Sequence, residues 1–288
     1  MRVLLTGHRG FVGRHLQAAL EARGDHVVGV DLVEGNDALD FFRDDNTRFD
    51  LAIHCAAIVG GRASIDGSPL GVGTNLALDA WYMRWLVRTG TPRAVFFSSS
   101  AAYPVDLQKP GDVHKLAEDD IDLRYPEKPD ATYGLAKLVG ENLAQYAEAE
   151  GCRITTLRPF SGYGEDQDEA YPFPAFIRRA RERQDPFEIW CDGSSTRDWI
   201  HIDDLIGATL ALLDADVTGP VNLGWGRPTS FDDLARIVCT AAGYRPQLKH
   251  RTDAPQGVHH RVSDPSRMLN HYVPTVTLEE GVRRALNT

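Results

Sequence analysis

RVLLTGHRGFVGRHLQAALEARGDHVVGVD (residues 2–31) is the stretch whose reading decides the fold. Its apolar run 2–6 suits a buried strand, and Gly7, Gly10 and Gly13 then form GxxGxxG. Phe11, Val12, Leu16, Ala19 and Leu20 recur at helical spacing, and Gly24 is placed to end that helix. HVVGVD (26–31) is a second buried strand. Such a unit has the physics of dinucleotide binding. Glycines permit a tight turn and close approach of a pyrophosphate, while the helix N-terminus offers free N–H groups and a partial positive charge. The spacing differs by one residue from GxGxxG, but it lies between a first strand and a first helix, where the fingerprint belongs.

Outward from this stretch, strands and helices keep alternating. DLAIHCAA (50–57) and RAVFFSS (93–99) are strands on either side of a helix around 75–90. A helix at 132–150 precedes Gly151 and the strand RITTLRP (153–159). This rhythm predicts βαβ units and a parallel sheet with right-handed crossovers. Beyond residue 160 it loosens. FPAFIRRARERQ (173–184) and DDLIGATLALLDA (203–215) read as helices, FEIW (187–190) and VNLG (221–224) as strands. Ser230 with Asp233, and Thr277 with Glu280, resemble capping boxes opening two more helices. The expected class is α/β: a doubly wound parallel sheet with a smaller α/β lobe toward the C-terminus. Residues 1–160 form the dinucleotide-binding domain, with 192–220 returning to it, and 161–191 and 221–288 form the lobe. The stretch 104–131, rich in Pro, Asp and Lys, is either a functional loop or a surface insertion.

The formal net charge of -10 over 288 residues argues against a nucleic-acid partner. Cys55, Cys152, Cys191 and Cys239 lie far apart with no CxxC pair, which suits reduced thiols and gives no zinc-site spacing. His259 and His260 are adjacent, a poor geometry for one ion, so no metal is expected. The first strand begins at Arg2 without an apolar leader, and no run approaches membrane-spanning length. A cytoplasmic protein without membrane contact is the expectation.

Asp31 closes the second strand, where its carboxylate can accept hydrogen bonds from ribose hydroxyls and would repel a 2′-phosphate, so NAD is expected over NADP. Asp37 could reach the adenine amine, and Ala56 and Ala57 offer a small surface past which a cofactor can lie, although they serve equally as core fillers. Tyr133 and Lys137 in YGLAK are one helical turn apart and share a face. An ammonium beside a phenol stabilises the phenolate and lowers a pKa that is ordinarily about 10, making Tyr133 a candidate general base. A surface tyrosine with an i,i+4 lysine has the same spacing. The run Ser98, Ser99, Ser100 at a strand end facing the ligand crevice favours the catalytic reading.

The order GxxGxxG, HCAA (54–57), FSSSAAYP (97–104), YGLAK, LRPFSGYG (157–164) and STRDWIHIDD (195–204) resembles the extended short-chain dehydrogenase/reductase family, the nucleotide-sugar epimerases and dehydratases. The likeness covers essentially the whole chain and implies a Rossmann-type sheet, NAD as cofactor and a nucleotide-diphosphate sugar as substrate. It also implies a homodimer pairing the helices near 75–90 and 132–150 through positions such as Trp81, Trp85, Leu138 and Leu143, which could equally pack on the sheet. By the same likeness Ser99, four residues before Tyr103, is the catalytic hydroxyl, and Lys137 also binds the nicotinamide ribose. Phe11, Val12, Asn75 and Pro159 join the cofactor side, while Ser100, Ser161 and Arg197 face the substrate, Arg197 gripping the diphosphate. CAAIVGG (55–61), PDATYGLAK (129–137), FEIWCDGSSTR (187–197) and APQGVHHRVSD (254–264) resemble the 3,5-epimerase branch, which adds Gly60, Gly61 and Arg261 to the substrate side. Two residues depart from that branch: Ala101 stands where it has a cysteine, and Tyr171 where it has a lysine acid/base.

These departures choose among reactions. A dehydratase of the family typically has an Asp-Glu pair after the catalytic hydroxyl, whereas this chain has Ser100 and Ala101. Epimerisation at C4 through a transient 4-keto sugar needs neither acid. The alternatives are a 3,5-epimerase or 4-keto-sugar reductase using Tyr171, and a non-catalytic NAD-binding regulatory protein on the same fold. Intact Ser99, Tyr133 and Lys137 speak against the last, because a binder needs no activated phenol.

Overall fold

The computed structural model describes residues 1–60, 67–254 and 257–288. β1 (Arg2–Thr6), α1 (Phe11–Ala22) and β2 (His26–Val30) make the opening unit. Next come α2 (Ala38–Asp44), β3 (Leu51–His54), α3 (Pro69–Thr89) and β4 (Arg93–Phe97). A short β5 (Lys115–Leu116) lies inside the excursion that precedes α4 (Ala131–Ala149) and β6 (Arg153–Pro159). β7 (Ser161–Tyr163), α5 (Pro172–Arg181), β8 (Phe187–Trp190), β9 (Thr196–Arg197) and β10 (Trp199–His201) follow. α6 (Ile202–Asp214) and β11 (Gly219–Leu223) return to the large sheet. The chain ends in β12 (Thr229–Ser230), α7 (Phe231–Ala241), β13 (Leu248–Arg251), β14 (His260–Ser263), α8 (Ser266–Leu269) and α9 (Leu278–Asn287). Ser230 and Thr277 cap α7 and α9, accepting from the amides of Asp233 and Glu280.

Six strands in the order β11-β6-β4-β3-β1-β2, all parallel, form the main sheet. From β1 the chain moves outward to β2, then crosses back past β1 to β3 and continues the other way. The loops leaving β1 and β3 therefore diverge, which opens a crevice at their carboxyl ends. Both faces of the sheet are covered, and β1 shows why its apolar run is continuous. Val3 and Leu5 pack under α1 and α6 with Leu16, Leu205 and Leu212, while Leu4 points the other way, toward Phe42, Tyr82 and Phe96. β11 straddles the boundary expected at residue 220, as its whole length pairs with β6.

A third core, built on Phe173, Phe187, Leu234 and Val282, belongs to the smaller lobe. That lobe joins β12-β9-β14-β5 in one sheet and β13 with β8 in another. The helix residues expected at a dimer face divide. Trp85 and Leu138 are buried within the chain, Trp85 among Phe41, Phe42 and Phe49. Trp85 packs into the core on one face of the sheet, and Leu135, Val139 and Tyr146 are the exposed large apolar residues of α4. No helix among the described residues is long and apolar enough to cross a membrane.

Candidate active site

The glycine turn is held by contact as much as by conformation. Gly7 has a φ of +72°, and a Cβ there would sit 2.5 Å from the Ala56 nitrogen just past β3. A Cβ on Gly13 would lie 2.0 Å from the Gly7 carbonyl oxygen, so α1 packs too closely on the turn for any side chain. Gly10 is the N-cap of α1, with no side-chain cap, and the helix has no acidic residue in its first turn. The field at this terminus is left for an anion. Phe11 and Val12, the first two residues of α1, are half-buried, as are Ala56, Ala57 and, at the end of β6, Pro159. Asp31 is buried, its carboxylate accepting from the amides of Arg9 (2.9 Å) and Val33 (3.0 Å). A pyrophosphate on α1 and a ribose near Asp31 fit this cradle.

Other residues assigned to the cofactor act at one remove. Asn75 is fully buried, and both ends of its amide grip the backbone of Ile58, at 2.7 and 2.8 Å. It shapes the loop that carries Ala56 and Ala57. Asp37 is the N-cap of α2, accepting from the Leu39 amide at 2.8 Å.

α4 carries the candidate catalytic groups on one stripe, Tyr133, Lys137 and Glu141, each one turn after the last. A Cβ on Gly134 would come 2.2 Å from the Ala101 carbonyl, so only glycine lets Tyr133 approach the serine strand end this closely. The three serines have different duties. The Ser98 hydroxyl bonds the Glu141 carboxylate, and Ser100 is buried. Ser99 accepts from the Ala101 amide and hydrogen-bonds the Tyr133 phenol. Burial pushes that phenol well above its ordinary range, the nearby Asp79 carboxylate adds to the shift, and the Ser99 contact opposes it. Lys137 is buried behind it, its Nζ 3.5 Å from Asp79 and 4.9 Å from the centre of the Phe96 ring. Tyr103 is a strut, its hydroxyl bonded to Asn222 and Arg158.

On the substrate side, the parallel pairing of β9 with β14 sets Arg197 opposite Arg261. Arg197 donates to the carbonyls of Thr196, Val258 and His259 and stacks on Phe231. Its neighbour Asp198 accepts from the Ser263 amide, and Asp203 pairs with Arg284. Arg261 bonds Gln108 and, at 2.7 Å, Asp130, three residues before Tyr133. Tyr171 is the N-cap of α5, and burial, followed by the proximity of Tyr133 and Asp168, pushes its phenol up to about 12. Ser161 is half-buried in β7, paired with Trp199. Gly60 is half-buried after Val59, whereas Gly61 lies outside the described residues. Among the described residues no group of three His, Cys, Asp or Glu could hold a metal ion, and all four cysteines are free thiols.

The model of the NAD dependent epimerase/dehydratase family matches residues 3–224, from the first strand of the large sheet to its last. The chain belongs to that family. Like its members, it uses NAD as cofactor and is an enzyme of nucleotide-sugar chemistry. It is 28% identical to GDP-mannose 3,5-epimerase 1 of Oryza sativa over 98% of its own length and 80% of that protein. It is 27% identical to GDP-L-fucose synthase of Sinorhizobium fredii, over 99% of its length and 94% of the relative. Among solved structures, the UDP-glucuronic acid 4-epimerase of Bacillus cereus, in complex with UDP-glucuronic acid and NAD, superposes with a TM-score of 0.83 at 26% identity. That match covers 100% of this chain and 98% of the other.

Three groups at this epimerase/dehydratase site escape sequence reasoning. Glu34 ends a 3-10 turn that folds it back onto the fingerprint, where it pairs with Arg9 and lies 3.1 Å from His8. The Arg9 hydrogen bond holds its carboxyl below the usual range. Arg158 is fully buried and pairs with Glu141 at 2.6 Å; the i+4 spacing from Lys137 to Glu141 could have flagged half of this pair. Asp79, the third, has no motif to announce it.

Proposed function

We propose that the protein is a nucleotide-sugar 4-epimerase working through a transient 4-keto sugar. The observation that carries this reading is the Ser99–Tyr133–Lys137 cluster at the mouth of the dinucleotide crevice. Ala101 is a buried methyl group where a second acid/base would have to stand. Arg197 and Arg261 hold the diphosphate, with Ser100, Ser161, Gly60 and Gly61 around the sugar. Tyr133 takes the C4 hydroxyl proton, Ser99 steers that hydroxyl, and Lys137 offsets the developing phenolate charge. NAD, held by the Gly7–Gly13 turn and Asp31, would supply the hydride acceptor for C4 and the donor for its return. Between these events the sugar turns about its anchored diphosphate, so Tyr133 re-protonates the opposite epimer. The smaller lobe, built on α5, β8, β9, α7, β13 and β14 with β5 from the excursion, serves as the sugar-nucleotide holder.

The test is incubation with UDP-glucose, UDP-glucuronic acid and GDP-mannose in heavy water. A C4 epimer without carbon-bound deuterium is expected. Deuterium at C3 or C5 would show a 3,5-epimerase, and consumption of NADPH when a nucleotide-linked 4-keto sugar is supplied would show a 4-keto-sugar reductase. We further propose a homodimer in the cytoplasm, with the exposed α4 residues Leu135, Val139 and Tyr146 at its interface. Light scattering that found only monomer at micromolar concentration would refute the dimer.

A further inference from the structure

Asp79 is a buried charge that the reaction above leaves unused. It lies mid-way along α3, 1% exposed. Its Oδ1 is 3.5 Å from Lys137 Nζ and 3.2 Å from His54 Nε2, the latter too poorly aligned for a hydrogen bond. Its Oδ2 has no hydrogen-bond partner among the described residues. An under-bonded buried carboxylate is costly and calls for a reason.

The surrounding elements supply little to match it. β3 contributes His54, which burial disfavours from charging against the pull of the Asp79 carboxylate and whose Nδ1 bonds Thr6, and just past it stands Cys55, whose thiol burial pushes up. α3 itself adds Tyr82, whose hydroxyl donates to backbone carbonyls of β3 and β4. β4 offers Phe96 and the serines. On α4, Glu141 is matched by Arg158 from β6, leaving Lys137 and Tyr133 to face Asp79. The lysine thus has two claimants, the Asp79 carboxylate behind it and any phenolate formed on Tyr133.

We propose that Asp79 is a positioning residue for Lys137, anchoring the ammonium behind Tyr133 and competing with the phenolate for its charge, so that the free enzyme keeps its base protonated. This rests on the assignment of Tyr133 and Lys137 made above. A cation already balanced by one anion stabilises a second less, and opposite charges within about 4–6 Å move a pKa by 1–3 units. The direct influence of Asp79 on the Tyr133 phenol acts in the same sense.

A measurement that needs no sugar substrate tests it. The near-ultraviolet phenolate absorbance of the full chain, minus that of Tyr133→Phe, isolates one phenol as pH rises. In Asp79→Asn the Tyr133 phenolate should emerge about one pH unit lower or more. In Asp79→Glu, which keeps the charge, it should emerge where it does in the unaltered chain. An unchanged or raised onset in Asp79→Asn overturns the proposal, as does a Glu variant that behaves like Asn. If Asp79→Asn fails to fold, Asp79→Ser is read the same way. Failure of the epimerase assay would leave this titration unaffected, so the two ideas fall separately.

Discussion

At the scale of the residue, the phenol and the ribose carboxylates make the firmest predictions. Tyr133→Phe should keep the fold and NAD binding while lowering turnover by roughly 10²–10⁴-fold, the usual scale for a positioned general base. Lys137→Ala should also weaken NAD binding, and Ser99→Ala should cost less than Tyr133→Phe. Cofactor choice is equally local. NAD should bind more tightly than NADP, because Asp31 and Glu34 both oppose a 2′-phosphate and Glu34 occupies Arg9. Titration of Glu34→Ala with both cofactors should narrow that preference; an unchanged ratio would remove Glu34 from the account. Asp31 was legible in the sequence because it closes an obvious strand. Glu34 was not, since its place depends on a three-residue turn that no periodicity marks.

At the scale of the element, α4 is both the most readable and the most demanding part of the chain. Its helical period put Tyr133 and Lys137 on one face, and the structure extends that face to Glu141. The second half of the Glu141–Arg158 pair comes from β6, which read only as a strand; nothing local marks which of its arginines is buried. Removing one partner of a buried pair leaves the other charge unmatched, so Glu141→Leu should lower unfolding free energy by about 3–5 kcal/mol in urea titrations. Pairing it with Arg158→Met should recover much of that loss; no recovery would mean the pair is not what sustains the packing. Gly134→Ala drives a methyl group into the Ala101 carbonyl and should impair turnover by displacing Tyr133. The helix face near Trp85 was harder to assign, because apolar residues that pack inward and outward look alike until the sheet is placed.

At the scale of the whole molecule, acid should loosen the fold before its carboxylates titrate. Burial lowers the pKa of His54 and of His260, so the native chain resists taking protons that the unfolded chain accepts below about 6.5. Stability is therefore complete above that pH and falls as pH drops through the window beneath it. The melting temperature should decline between about pH 6.5 and 5.5, and less so in His54→Asn; equal slopes would exonerate His54. The large sheet was legible because its first five strands alternate with helices along the first 160 residues. The lobe was not: β5, β9 and β12 are two residues long and acquire meaning only from partners far along the chain.

β5 has a practical corollary for redesign. It comes from the excursion between Ser99 and Tyr133, yet it pairs with β14, and the same excursion is tied by Gln108 to Arg261 and by Gly111 to His260. A chimera that exchanges only the C-terminal third for a relative's would sever these seams and strand half of each. The natural cassette for transplanting the lobe has three parts, residues 104–131 and 161–197 travelling together with those after β11.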